Sequence, residues 1–329
     1  MLFDPSLGVG GGQSTALMLL LAVALDAAFG DPPRLYKIVP HPVALLGRLI
    51  GWLEGRLNDP GLSDDARRQR GLMLTAGVVG GALLVGALVH GLLRGFAYGW
   101  MIEVVLASTL IAFRGLHDAV LAVEAGLSTG LVEGRRAVGH IVGRDPDSLD
   151  QHGVARAAIE SAAENFADGV IAPMFWYLLL GLPGLVAYKA INTLDSMLGY
   201  RDTRYAAFGG ASARLDDLAN WLPARLAGLI ICFAAGFRPD CNHLRAWRAM
   251  RRDAPKHRSP NAGWSEAAMA GALGLALAGP RQYGGDLVAD AWMGDGEAAA
   301  TADDIRRARH LYLAAGAVTA AALAIYALY

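Results

Sequence analysis

Apolar residues in this chain gather into runs long enough for a bilayer, and polar residues gather at the ends of those runs. Residues 71–93 (GLMLTAGVVGGALLVGALVHGLL) form 23 positions without a formal charge. At about 1.5 Å per helical residue that run crosses a hydrocarbon core of about 30 Å. Further runs at 14–29, 98–113, 218–237 and 311–329 have the same character, interrupted only by Asp26, Glu103 and Arg225 in the first three. Residues 170–187 are apolar but broken by Pro173 and by the Gly181-Leu182-Pro183-Gly184 turn, which predicts either a crossing or a re-entrant segment. Residues 115–144 show helical spacing with Arg and Glu opposite the apolar face, and predict one amphipathic helix. Asp145-Pro146-Asp147-Ser148 then predicts a turn and a cap for a helix starting near Leu149. No run alternates convincingly, so no strand is predicted.

The pattern predicts an all-α, polytopic integral membrane protein with re-entrant or broken helices and amphipathic cytoplasmic helices. A single membrane-embedded domain over 1–329 is expected, with 114–168 and 238–310 largely cytoplasmic. Arg34, Lys37, Arg48, Arg56, Arg67, Arg68 and Arg70 lie between the first and second runs, whereas Arg94 stands alone between the second and third. Basic residues mark the cytoplasmic side. The expected location is the cell inner membrane, multi-pass, with the active face toward the cytoplasm. The acid-rich and base-rich stretches are expected to share one polar cavity there.

Composition sharpens this. Hydrophobic residues make up 54% and charged residues 18%, where soluble domains carry about 25% charged. A net charge of −1 argues against a nucleic-acid partner. The 41 glycines sit mostly inside apolar runs, where they permit close helix approach. Two cysteines without CxxC spacing read as free thiols.

Candidate chemistry lies in four polar blocks. In ESAAENFADGVIAP, Glu160, Glu164 and Asp168 fall at intervals of four beside Asn165. Like charges so spaced on a helix repel by a few tenths of a kcal/mol, and a cation offsets that; carboxylates with substrate phosphates suit Mg²⁺. The bland alternative is a solvated helix face. In the second block, Lys189, Asn192 and Asp195 share one helical face, and Arg201, Arg204 and Arg214 add anion-binding forks. Asp216, Asp217 and Asn220 then adjoin the next apolar run. Salt bridges and snorkelling side chains are the alternative for each residue alone. The third block sets Lys256, His257 and Arg258 before Ser259-Pro260-Asn261, with Ser265 and Glu266 expected at a helix start able to take an anion. The fourth sets Asp31 and His41 among stiff prolines, either as an interfacial loop or with Asp31 as a single ligand.

GDPPR…HPV…GRLIG, ESAAENFADGVIAP, YKAINTLDSMLGYRDTRYAAFGGASARLDDLANWLPARL and SPNAGWSEAAMAGALGL with PRQYGG resemble, in order, the CobD/CbiB cobalamin-biosynthesis family of adenosylcobinamide-phosphate synthases. The resemblance covers about residues 24–285 and leaves out the glycine-rich N-terminus and the 290–301 insert. It implies an acid–amine ligase joining the propionate carboxylate of adenosylcobyric acid to (R)-1-aminopropan-2-ol or its O-phosphate, with ATP and Mg²⁺ as cofactors and a corrinoid as substrate. It further implies Glu160, Glu164, Asp168 and Asp195 as metal ligands, and Asp216, Asp217, Lys189 and His257 as catalytic groups. Asn165, Asn192, Arg201, Tyr205, Arg214, Asn220, Lys256, Ser259, Asn261, Asp31 and His41 would bind substrate. Expected partners are those substrates, the bilayer and other late cobalamin-assembly membrane enzymes. No Walker motif accompanies this. A transporter with a midplane site, using Asp26, Glu103, Lys189 and Asp195, and a non-catalytic membrane sensor are the rival readings; the first predicts inverted repeats, which the two halves do not show.

Overall fold

A computed structural model describes residues 14–31, 36, 40–143, 145–200, 202–283, 286–288 and 290–328. The protein is all-α apart from a few residues of strand. The helices are α1 (Thr15–Phe29), α2 (Pro42–Leu57), α3 (Asp64–Arg94), α4 (Gly99–Ser108), α5 (Phe113–Thr129), α6 (Leu131–Val138) and α7 (Gln151–Asn165). A π-helical turn (Phe166–Ile171) precedes α8 (Ala172–Leu198), followed by α9 (Gly210–Ala219), α10 (Trp221–Ala235), α11 (His243–Asp253), α12 (Ala262–Leu273) and α13 (Ala302–Leu328).

Four helical stretches are long and apolar enough to cross a membrane: Asp64–Arg94, Gly99–Thr129, Gln151–Leu198 and Ala302–Leu328. Counting α9 and α10 as one broken span makes five. The run at 14–29 is a shorter apolar helix. On α3 the side chains of Leu72, Met73, Leu84, Leu88 and Leu92 are exposed, the pattern of a helix whose outer face meets lipid rather than water.

The fold divides into two compact units, each assembled from separated segments. The first comprises residues up to Ala112, Ala172–Asn220 and the end from Leu323; the second comprises Phe113–Ile171 and Trp221–Ala322.

In the first unit α3 runs against α8, with α2, α4 and α9 beside the pair and α1 on α4 and α8. Ser63 caps α3 by accepting the Ala66 N–H, while Asp64 and Asp65 in the first turn and Arg94 in the last complement the helix dipole. Two glycines let α3 approach its neighbours: a Cβ at Gly71 would strike the Phe208 carbonyl, and one at Gly86 would lie 2.6 Å from Pro183 Cα. The core joins Ile50, Leu74, Val78, Ala190, Leu194, Leu198 and Phe208. α8 is kinked at Gly181 (φ 66°, ψ −153°), just before Pro183, so the expected broken segment is a helix with a sharp bend.

In the second unit, the single helix expected over 115–144 is instead the hairpin α5–α6. It turns at Gly130, and Gly126 comes so close that a Cβ there would lie 2.8 Å from the Glu133 carbonyl oxygen. Residues 145–148 form a separate short turn, and Asp150 caps α7 through the Gly153 N–H at 2.6 Å. α12 packs on α10, α11 and α7 and is buried along almost its whole length. Four short strands depart from the strand-free expectation: β1 (Leu277–Ala278) pairs antiparallel with β4 (Trp292–Met293), and β2 (Arg281–Tyr283) with β3 (Asp286–Val288). Pieces of two or three residues carry too little alternation to register in sequence.

Candidate active site

In the first unit the best-formed polar group lies where α8 meets α9. Lys189, Asn192 and Asp195 come from α8, Asp216 and Asp217 from α9, and Asn220 from the C-cap of α9. Asp216 is 7% exposed. Its Oδ2 accepts the Asn220 side-chain N–H at 2.9 Å, and the Asn220 Oδ1 accepts the Tyr188 hydroxyl at 2.8 Å. Tyr188 is itself buried, so the chain Tyr188–Asn220–Asp216 fixes one oxygen of the carboxylate. The other oxygen, Oδ1, is buried and has no hydrogen-bond partner among the described residues. Asp195 and Asp217 act on Asp216 through their charges, and the Asn192 side-chain amide stands beside it as a further donor; Asp195 and Asp217 likewise act on each other. Three neighbouring carboxylates with one unsatisfied buried oxygen call for a cation or a proton donor.

At the far end of the Lys189-Asn192-Asp195 face, the structure brings Asp31, Tyr36, His41 and Lys189 together. His41 Nδ1 accepts the Val43 N–H at 3.1 Å, leaving Nε2 to donate to the Thr109 carbonyl at 3.1 Å with Asp31 3.6 Å away. Tyr36 donates to Asp31 at 3.0 Å. The His41 contact, with help from Tyr36 and the Lys189 charge, holds the Asp31 carboxyl below its ordinary range against the opposing effect of burial. Burial, and then the Asp31 charge, push the Tyr36 phenol up to about 12. Lys189 also lines an apolar cavity of about 670 Å³ between α2, α3 and α8. His41 additionally caps α2, which accounts for its position among prolines.

The remaining predicted residues of this unit have other surroundings. Arg214 is exposed, while Tyr205 packs beside Tyr200 at the edge of the Ile50–Phe208 core. Arg201 lies outside the described residues. Arg204 forks onto Glu54 at 2.9 and 3.0 Å, and its carbonyl accepts from Asn58 and Arg67. Glu103, the intramembrane carboxylate of the transporter reading, is buried between His90 at 2.8 Å and the Tyr177 hydroxyl at 3.0 Å.

In the second unit the carboxylate stripe is not what its spacing predicts. Glu160 is buried and its Oε1 accepts the Ala278 N–H at 2.8 Å, holding a residue with φ 59°. Glu164 is exposed, and Asn165 donates to the Ser161 carbonyl at 3.0 Å. The π-helical turn then begins at Phe166, and its wider winding rotates Asp168 out of register with the two glutamates. Among the described residues, no three His, Cys, Asp or Glu side chains are grouped so as to hold one metal ion. Of the four carboxylates expected to hold a metal, Glu160, Glu164 and Asp168 belong to the second unit and Asp195 to the first.

The block after α11 is a structural latch. Asp253 is buried and takes Arg252 at 2.6 Å, Lys256 at 2.8 Å and the Gly294 N–H at 3.0 Å. Burial opposes its ionisation, yet these three donors hold the carboxyl at about 2. Lys256, expected to bind substrate, is thus engaged with Asp253. His257 Nδ1 accepts the Ser259 N–H at 3.0 Å, and its Nε2 lies 3.6 Å from the buried Glu266. Ser259, not Ser265, holds the start of α12, accepting the Asn261 and Ala262 N–H groups at 3.2 Å each. Ser265 is buried and bonds the Ala262 carbonyl within the helix. Asn261 is buried at the first position before α12.

Fold and site together define a polytopic helical membrane protein with a buried carboxylate group built on a broken span. The chain belongs to the CobD/Cbib protein family, whose model matches residues 19–312. It is 49% identical to the cobalamin biosynthesis protein CobD of Brucella anthropi over 93% of this chain and 97% of that protein. Identity is 48% to the CobD of Rhodobacter capsulatus over 84% and 86% of the two chains, and 46% to that of Rhizobium meliloti over 95% and 97%. No solved structure matches the chain.

Proposed function

We propose that this protein is a cobalamin-biosynthesis enzyme of the cell inner membrane, an acid–amine ligase whose active face is cytoplasmic. It joins the propionate carboxylate of adenosylcobyric acid to (R)-1-aminopropan-2-ol or its O-phosphate. The carrying observation is Asp216: one oxygen fixed by Asn220, the other buried and unpartnered beside Asp195 and Asp217. An alkylammonium has the charge and the N–H donors that this oxygen lacks.

An amine attacks only as the free base, so the ammonium must lose a proton before the new C–N bond forms. Asp216 takes that proton at Oδ1, and Asp217 and Asp195 hold the ammonium while it is charged. Asn220 and Tyr188 keep the Asp216 carboxylate from turning. Lys189, near Asp31, and the exposed Arg214 receive the carboxylate and phosphate groups of the substrates. Mg²⁺ would fit this donor set only in a limited way: Asp195 or Asp217 would supply a carboxylate ligand, and substrate phosphates would complete the shell. ATP with Mg²⁺ would supply activation of the propionate as an acyl phosphate.

The test is amide formation by the full-length protein in nanodiscs, given adenosylcobyric acid, either amine, and ATP with Mg²⁺, read by mass spectrometry. Asp216→Asn is expected to lower turnover roughly 10²-fold or more while leaving the folded state intact. Near-normal turnover in that variant, or no amide with either amine, overturns the reading.

A further inference from the structure

We propose that a second, separate site in the Trp221–Ala322 segment binds a phosphate group, in a polar cavity of about 300 Å³ on the side of α11. The sequence HLRAWRAMRRD puts Arg245, Arg248, Arg251 and Arg252 on one short helix, with its only acid, Asp253, as the last residue. Arg248 has Arg245, Arg251 and Arg252 at three or four residues' distance, and such like-charge pairs repel. Arg245 also stands in the first turn, where the helix dipole is already positive. This arrangement is unfavourable unless an anion offsets it.

Two of the four arginines are accounted for within the protein. Arg252 is gripped by Asp253 and Asp295 at 2.6 and 2.7 Å, and Arg251 stacks over the Trp247 ring, 5.7 Å from its centroid. The guanidinium groups of Arg245 and Arg248 have no ion-pair or hydrogen-bond partner among the described residues, and both line the cavity. The facing wall is formed by Gly271, Gly274 and Gly296. Gly274 has φ 71°, and the position its Cβ would take lies 3.8 Å from Arg245 Nη1, so the absence of a side chain there keeps the space before that guanidinium open. Three guanidinium groups against the single carboxylate of Asp295 leave two positive charges to be matched. Guanidinium forks match carboxylate and phosphate oxygens bidentately, and of the two only a phosphate brings two charges on one group. The chemistry fits a doubly charged phosphate or a pyrophosphate, either from the aqueous phase or from a lipid headgroup. The assignment stands on this cavity alone and does not depend on the amide-forming reading.

The experiment titrates pyrophosphate alone into the full-length protein, following heat of binding and thermal midpoint. The wild type is expected to bind with salt-sensitive affinity, and the double variant Arg245→Gln/Arg248→Gln about tenfold or more weakly, with an unchanged or slightly raised midpoint in the absence of ligand. Arg248→Gln alone, at an exposed position, is expected to shift affinity in the same direction. Arg251→Gln, outside the cavity, should bind as the wild type does. Repeating the titration in phosphatidylglycerol and in phosphatidylcholine nanodiscs separates the sources. Displacement of pyrophosphate by phosphatidylglycerol, with lipid-dependent stabilisation lost in the double variant, identifies a headgroup site. Equal pyrophosphate binding in both lipids identifies a soluble polyphosphate site. Equal binding by wild type and double variant, equal loss in Arg251→Gln, or no response to pyrophosphate or phosphatidylglycerol overturns the proposal.

Discussion

Asp216 and Asp253 show how one residue type reaches opposite ends of its chemistry. Asp253 is buried but collects two cations and a backbone N–H, so its charge is stabilised. Asp216 is buried with only the side-chain amides of Asn220 and Asn192 as donors and two carboxylate neighbours, and it forms no ion pair among the described residues. The Asp253 arrangement has a pH signature. Its carboxyl is held at about 2, below the value of about 3.9 of an unfolded chain. Its contribution to stability is therefore complete above about pH 4 and is lost as the pH falls toward 2. Asp253→Asn is expected to lower stability by roughly 1–2 kcal/mol at neutral pH, since the exposed Arg252 and Lys256 lose a charged acceptor while Arg252 keeps Asp295. It should also flatten the loss of thermal midpoint between pH 4 and 2; an unchanged acid profile in the variant would refute the latch. In sequence, Asp216 and Asp217 were visible because two acids abut an apolar run. Tyr188 was not, because a tyrosine in AYKAINTLD reads as one more interfacial aromatic until Asn220 is brought to it from α9. Lys256 and Asn220 were legible as polar groups at a site, but not as groups whose partners lie within the protein.

Among the elements, long uncharged runs were easy to read and departures from regular winding were not. The 71–93 run lies wholly inside α3, and the 311–329 run falls largely within α13. The Glu160–Glu164–Asp168 stripe assumes a winding of 3.6 residues per turn through Phe166, where the helix widens. Nothing in FADGVI marks that widening. The bend in α8 was legible from Gly181 and Pro183, and it has a testable cost. Gly181 adopts φ 66°, ψ −153°, a conformation essentially closed to residues with a Cβ. Gly181→Ala is expected to destabilise the protein by roughly 1–3 kcal/mol, seen as a lower midpoint in detergent. Gly80→Ala, where a Cβ would meet nothing within 4 Å, should leave the midpoint unchanged or raise it slightly. Equal effects of the two substitutions would show that the bend is not set by the Gly181 conformation.

At the scale of the whole molecule, the sequence leaves open on which side the segment between α8 and α9 lies. In the first unit Arg204 ties that segment to elements whose charge bears on the question. That residue forks onto Glu54 near the end of α2, and its carbonyl accepts from Asn58 and from Arg67 in the first turn of α3. The Thr203–Tyr205 turn is thereby fixed to the end of α3 that carries Arg67, Arg68 and Arg70, and Arg94 is alone at the other end. Basic residues gather on the cytoplasmic side, so the proposed function expects the Asp216 group, reached through this turn, on the cytoplasmic side. Single cysteines at Asp59, Thr203 and Tyr98, in a chain with Cys232 and Cys241 replaced by alanine, test this directly. A membrane-impermeant maleimide is expected to label Asp59→Cys and Thr203→Cys in inverted vesicles, and Tyr98→Cys only in intact spheroplasts. Labelling of Thr203→Cys from the side opposite Asp59→Cys would place the amine-binding carboxylates away from the cytoplasmic pools of ATP and corrinoid. The Arg204 contacts could not then hold in the membrane, and the proposed chemistry would lose its access to substrate.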